Sequence, residues 1–427
     1  MQELDLFKSI TRTDRQEISR KTWIKNKCCG TIVACTGFGK TRVALNSIQC
    51  IINKYPKFNV LVVVPTETLK VQWSKELDSR GLSLNCNVQI VNTVAKHKYK
   101  ANILVIDEIH RTGSLEFSKI FENVDYKYIL GLTATFERLD GKEKLINKYC
   151  PVIDTISTEE ALFNGWVSKY NEYEIIINVP DIDVYKGYNK EFVEHFEFFN
   201  YDFNLVMSLV GPTGYINRIK LRDERLTASA SKAEKTEMLK LITMHAAGFS
   251  RVLQKRKSFI NNHPKKLEIV NKIINARKNS KIITFSNNVK MAEAISYGEV
   301  YTGKTSKKKG RTTIEEFNNK PIGILNTVKK ADEGLDIHGL SVAIVLGLDS
   351  SKIKATQRRG RAIRFEPGKT AEIFNIIING TVELEWFKNS HIDSKFIVID
   401  ENNLEKVLKY EDYKEYQKPT QRFNFRY

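Results

Sequence analysis

The sequence predicts an α/β protein: two blocks of parallel sheet flanked by helices, with a helical insertion between them. Three observations carry this. Short apolar runs recur without alternation, as in strands buried on both faces of a parallel sheet. These runs fall into two groups, within residues 31–132 and 281–378. Between the groups the texture turns charged and aromatic, with apolar residues at three- to four-residue steps, the period of an amphipathic helix.

The first group comprises Thr31-Ile32-Val33-Ala34, Val60-Leu61-Val62-Val63-Val64, Ile103-Leu104-Val105-Ile106 and Tyr128-Ile129-Leu130-Gly131-Leu132. The second comprises Lys281-Ile282-Ile283-Thr284-Phe285, Ile322-Gly323-Ile324-Leu325, Val342-Ala343-Ile344-Val345-Leu346 and the run over residues 371–378. A stretch such as Glu191-Phe192-Val193-Glu194-His195-Phe196 typifies the insertion. The expected division is 1–165 for the first block, 166–265 for the linker and mostly helical insertion, 266–400 for the second block and 401–427 for a C-terminal appendage or tail. A length of 427 residues, 41% of them hydrophobic, accommodates several cores of this kind.

The net charge of +18, from 68 basic against 50 acidic residues, attracts polyanions and points to nucleic acid as partner. Six cysteines, all within residues 28–150, show no spacing of a zinc site, so reduced structural thiols are expected. No apolar stretch reaches the roughly 18 residues of a membrane helix, and the start has no basic region followed by an apolar core. The expectation is a soluble protein of the cytoplasm or another intracellular compartment holding nucleic acid, without a membrane role.

The chemistry begins at Ala34-Cys35-Thr36-Gly37-Phe38-Gly39-Lys40-Thr41, which follows an expected strand and opens a helix-like run. In that setting the amides around Thr36, Gly37, Phe38 and Gly39 can cradle phosphate oxygens. Lys40 would reach the β- and γ-phosphates of ATP, and Thr41 would place its hydroxyl on Mg²⁺. The first position is Ala34 where the general pattern has glycine. Asp107 and Glu108 follow the third strand, at the edge where α/β ligands bind. Asp107 suits the Mg²⁺ shell and Glu108 the polarisation of an attacking water. His110 is read as linking this pair to Thr133-Ala134-Thr135.

The order and spacing of these segments resemble superfamily 2 helicases, from about Gln16 to Arg364. The resemblance implies two tandem RecA-like domains with ATP between them. It implies that Gln16 reads adenine, that Pro65 and Thr66, with Leu69 and Gln72-Trp73 behind them, touch the nucleic acid, and that residues 107–110 form a DExH box. In the second half, Glu333-Gly334-Leu335-Asp336 resembles the motif touching nucleotide and strand, through Gly334 and Asp336. Residues 357–364 resemble the motif Q-x-x-G-R-x-x-R: Gln357 belongs to the site, and Arg361 and Arg364 would reach the γ-phosphate as arginine fingers. Arg358 and Thr327 are assigned to the strand.

The run over residues 131–141 is similar to the branch of type III restriction motors, phage helicases such as UvsW and XPB-like translocases, which works mostly on DNA. That similarity implies DNA more than RNA, with repair or recombination as the setting, and a compact motor of this kind fits a phage or viral source. Phe136 departs from the proline common there, and between Trp73 and Ile103 only Val91-Asn92-Thr93 offers a second contact motif. Two further sets of basic residues are candidates for phosphate contact: a loop with Lys304, Lys307, Lys308, Lys309 and Arg311, and an insertion set with Arg251, Lys255, Arg256, Lys257, Lys265 and Lys266. Phe249 and Phe259, interleaved with the second set, stack on bases or pack between helices.

The expected activity is an ATP-dependent helicase moving along a strand. The alternatives are a duplex translocase or branched-DNA remodelling motor that never separates strands, and a nucleic-acid-binding scaffold gated by ATP. An accessory protein partner is compatible with any of them, and nothing in the sequence implies an oligomer.

Overall fold

The structure, a computed structural model, describes residues 10–113, 117–136, 143–211, 213–303, 305–328, 337, 339–348, 370–390 and 396–411. The chain opens with α1 (Arg12–Lys25), β1 (Cys29–Ala34), α2 (Lys40–Lys54), β2 (Val60–Val64), α3 (Glu67–Asp78), β3 (Cys86–Ile90) and α4 (Val91–Val94). It continues through β4 (Tyr99–Asp107), α5 (Ile120–Asn123), β5 (Val124–Thr133), α6 (Glu143–Tyr149), β6 (Val152–Ile156) and α7 (Thr158–Phe163). The six strands form one sheet in the order β3-β2-β4-β5-β1-β6, every pairing parallel.

Burial explains why the apolar runs do not alternate. All five residues of β2 are buried. On β4, Ile103 and Val105 enter the core under α2 and α3, while Leu104 and Ile106 enter a second core on the opposite face.

A second parallel sheet begins with β7 (Lys169–Ile177), before the helices α8 (Ile182–Glu197), α9 (Phe203–Val210), α10 (Gly214–Arg225), α11 (Lys232–Asn262) and α12 (Pro264–Ala276). Then follow β8 (Lys281–Ser286), α13 (Val289–Ala294), β9 (Glu299–Tyr301), α14 (Lys307–Asn319), β10 (Gly323–Val328), β11 (Val342–Val345), β12 (Thr370–Ile378), α15 (Glu383–Ser390), β13 (Ile397–Asp400) and α16 (Glu401–Leu408). The strand order is β13-β7-β12-β11-β8-β10-β9, again parallel throughout. The predicted α/β class, with helices between the two groups of strands, is what the chain adopts.

Several elements differ from expectation. Lys169–Ile177, expected in the linker and insertion, pairs along its whole length with β12. Leu404 and Val407 of α16, expected in the tail, sit in the core under the second sheet. The basic run at residues 307–311 opens α14 rather than a loop, because the Ser306 side chain accepts the Lys309 amide and caps the helix. In the insertion, α8, α9 and α11 close around Phe192, Phe196, Phe199, Val206, Leu209 and Phe249. Phe249 is therefore helix core and not a base-stacking surface. Arg256 lies over the Phe192 ring at 4.0 Å, and Lys266 is fully buried against Glu383 at 2.6 Å, so neither offers its charge to a strand. Arg251, Lys255 and Lys257 stay exposed. Among the described residues no helix is long and apolar enough to cross a membrane.

Candidate nucleotide site

Because every strand of the first sheet runs the same way, their carboxyl ends share one edge, and the segments singled out in the sequence leave from it. The loop at residues 35–39 follows β1, Pro65 and Thr66 follow β2, Asp107 ends β4 with Glu108 next to it, and Thr133 ends β5. This is the edge at which open α/β sheets bind ligands.

Gly37 and Gly39 have φ of 90° and 96°, left-handed backbone that glycine adopts without a Cβ penalty. A Cβ on Gly39 would also lie 2.6 Å from Gln16 Nε2. Gly39 stands at the N-cap of α2 without a side chain to cap it, which leaves the helix's first amides, and the positive end of its dipole, to an anion. Lys40 opens that helix and donates from Nζ to the Ala34 carbonyl at 3.1 Å. Thr41 follows it, partly exposed. Phe38 is buried against Trp166, ring centroids 5.6 Å apart.

Gln16 is buried on α1 and donates from Nε2 to the Phe38 carbonyl at 2.8 Å. The sequence showed Gln16 but not what holds its helix. Arg15 donates to both oxygens of Asp154 at 2.8 Å and to Glu160 at 2.8 Å, fastening α1 to β6 and α7. Trp23, on the same helix, is core, its indole N–H on the Ile129 carbonyl.

At the acidic pair, Asp107 Oδ1 accepts the Glu108 amide at 3.0 Å, and Oδ2 accepts the Trp73 indole N–H at 2.9 Å. Withdrawal from water, then the neighbouring Glu108 charge, push the Asp107 carboxyl up to about 6, against the pull of Trp73 and the Lys40 ammonium. Glu108 has φ of 50°, a conformation costly for any residue with a Cβ, and such strain gathers at functional sites. Its Oε2 lies 3.4 Å from His110 Nδ1.

Buried His110 Nδ1 is 2.9 Å from Thr133 Oγ1. The Thr133 hydroxyl donates to the Thr135 carbonyl at 2.6 Å and accepts the Thr135 amide at 3.2 Å. With the hydroxyl proton so committed, Nδ1 must be the donor to Thr133, which fixes the proton on that nitrogen. The acidic pair and the Thr133–Thr135 segment are thus joined through His110.

Two buried atoms here, Thr36 Oγ1 and Glu108 Oε2, have no hydrogen-bond partner among the described residues, an uncommon state for buried polar groups. Together with the adjacent Asp107 carboxyl, raised first by burial and then by its neighbour's charge, they fit a site completed by a cation and phosphate. No cluster of three or more His, Cys, Asp or Glu occurs among the described residues. Mg²⁺ needs none, since it is held by one or two carboxylates plus substrate phosphates.

Of the remaining candidates, Thr66 caps α3 by accepting the Leu69 amide at 3.3 Å, beside the partly exposed Pro65. Thr327 is fully buried, with its hydroxyl donated to the Thr284 carbonyl at 2.6 Å. It therefore has no exposed atom to offer a strand, and its assignment is corrected. Gly334, Asp336, Gln357, Arg358, Arg361 and Arg364 lie outside the described residues. Trp73, read in sequence as part of the strand-contacting segment, touches the acidic pair instead, a contact sequence reading did not foresee. That contact joins residues 34 positions apart.

Comparison with known proteins completes the picture. The type III restriction enzyme res subunit family matches residues 8–98 and 85–138, and the helicase conserved C-terminal domain family matches 265–366. The chain is 28% identical over 400 residues to "DNA 3'-5' translocase XPB2" of Sulfurisphaera tokodaii, covering 88% of this chain and 83% of that one. A "putative ATP-dependent RNA helicase QP509L" of African swine fever virus is 32% identical over 164 residues, 33% of this chain and 31% of that one. Among solved structures, the helicase domain of Pyrococcus furiosus Hef superposes with a TM-score of 0.49 at 16% identity, over 88% of this chain and 97% of that one. With both helicase families matched in order along one chain, this protein belongs to superfamily 2 of the ATP-dependent nucleic-acid helicases and translocases.

Proposed function

We propose that this motor works on DNA and moves along one strand by hydrolysing ATP between two RecA-like domains. Support for DNA comes from the likeness over most of both chains to a protein named a DNA translocase. The observation that carries the site is the convergence of the glycine loop, Lys40 and Asp107 on one sheet edge.

In this reading the amides of residues 36–39 and the start of α2 receive the phosphates, and Lys40 turns from the Ala34 carbonyl to the β- and γ-oxygens. Gln16 reads adenine from its place against the loop. Thr41 and Asp107 hold Mg²⁺, which when bound neutralises phosphate charge and orients the γ-phosphoryl group. Glu108 takes the proton of the attacking water. The bridge of His110, Thr133 and Thr135 relays the state of that site to the next loop. Arg361 and Arg364 stabilise charge developing on the γ-phosphate, and Gln357, Gly334 and Asp336 are assigned to the same nucleotide site. Pro65, Thr66 and Arg358 touch the strand.

Steady-state ATP hydrolysis with single-stranded, duplex and forked DNA and with RNA, at fixed low salt, tests this. Marked stimulation by single-stranded or forked DNA is expected. Stimulation by RNA alone would overturn the DNA assignment. The same translocase likeness favours a second reading, tracking on duplex without strand separation. Displacement of a triplex-forming strand without unwinding of a fork would select it.

A further inference from the structure

We propose that Trp73 is a positioning residue of the ATPase site, whose indole N–H holds one oxygen of Asp107 and so fixes the carboxylate that faces the metal. The proposal rests on the reading of Asp107 as the Mg²⁺ anchor. Trp73 lies midway along α3, 1% exposed, with Nε1 2.9 Å from Asp107 Oδ2. The other oxygen accepts the Glu108 amide. A carboxylate offers about four lone-pair sites, so these two donors leave each oxygen free to accept a hydrated cation while preventing rotation of the group.

That rotation is otherwise soft, because the terminal torsion of an aspartate is broad. Trp23 and Trp166 satisfy their indoles on the backbone carbonyls of Ile129 and Ile10. Trp73 instead donates to an acidic side chain that, among the described residues, no other side chain hydrogen-bonds. The same helix begins at its cap Thr66, itself an expected strand contact, so movement of α3 reaches Asp107 directly through Trp73.

Mg²⁺ titration of ATP hydrolysis by the full chain tests this. Trp73→Phe removes the donor but also shrinks a buried ring. A benzothienyl analogue of tryptophan placed at position 73 keeps the shape and replaces the N–H by sulfur. Both should raise the half-saturating Mg²⁺ concentration on the order of tenfold or more, as loss of a second contact to a metal ligand does. Excess Mg²⁺ should restore turnover, and metal-free binding of a fluorescent ATP analogue should stay unchanged. An unchanged Mg²⁺ half-saturation in the folded benzothienyl protein would overturn the proposal. So would a loss of turnover in that protein that is equal at every Mg²⁺ concentration. Asp107→Asn, measured in parallel, separates the two ideas. If it keeps the parent Mg²⁺ dependence, the metal reading itself has failed; if it loses it while position 73 is silent, only the role of Trp73 has failed.

Discussion

At the scale of single residues, the site divides into groups that bind and groups that act. Lys40 opens α2 directly after the loop and reaches back to the Ala34 carbonyl before it, so Lys40→Ala should abolish turnover through lost nucleotide affinity, read directly by equilibrium ATP binding. Glu108→Gln keeps size and backbone and removes the base, so binding should persist while hydrolysis falls by about 10²–10⁴-fold. Normal turnover by either variant would defeat the assignment. Asp107 gives a pH signature. Its carboxyl is raised from 3.8 to about 6, so the folded chain holds this proton more tightly than the unfolded one. The group's contribution to stability is present at low pH and is lost as the pH rises through about 6. Mg²⁺ competes with the same proton. The acid limb of ATP hydrolysis should therefore move to lower pH as Mg²⁺ is raised, and a limb indifferent to Mg²⁺ would take Asp107 out of the metal shell. The loop, the acidic pair and His110 were legible because each is a local string next to a strand. Arg15 with Asp154 and Trp73 with Asp107 were not, because each contact is made by folding distant segments together.

At the scale of elements, legibility followed the absence of charge. β2 and the Ile103–Ile106 stretch of β4 are uninterrupted apolar runs and read at once as strands. β7 carries Glu172 and Glu174 between its apolar residues and read as part of the insertion, yet both glutamates are buried. Glu172 accepts from Asn375 of β12 at 3.2 Å, a partner some two hundred residues away that no local pattern announces. Lys266 was misread for the same reason. It donates to Glu383 at 2.6 Å and to the Leu346 carbonyl at 2.8 Å, and Glu383 also accepts the Ile378 amide at 3.2 Å. This pins α12, the helix that follows the insertion, to the second sheet. Lys266→Ala would strand a buried carboxylate and should cost about 3–5 kcal/mol of stability. Denaturant unfolding measures that loss. A cost within the range of an exposed lysine would show that the pair does not bear on the fold.

At the scale of the whole molecule, the composition makes a claim independent of any motif. A surplus of 18 positive charges is far more than a nucleotide site requires, and the fold buries two of the basic residues read as candidate phosphate contacts and engages other arginines internally. Lys266 and Arg256 are internal, and Arg15 and Arg277 are engaged in ion pairs with Asp154 and Glu372. The charge left for nucleic acid is therefore the remaining exposed set, spread over both α/β blocks and the insertion. If that set lies along the track, binding to a strand releases condensed counterions. For about five phosphates on a single strand, a fourfold rise in salt should weaken binding on the order of a hundredfold. ATP binding in the absence of nucleic acid, held by a few short contacts at one sheet edge, should move far less over the same range. Fluorescence anisotropy of a labelled oligonucleotide gives the first quantity and binding of a fluorescent ATP analogue the second. A shallow salt dependence for the oligonucleotide would place the grip in stacking and backbone contacts rather than in the surplus charge. Arg251, Lys255 and Lys257 on the exposed face of α11 would then lose their claim to the strand.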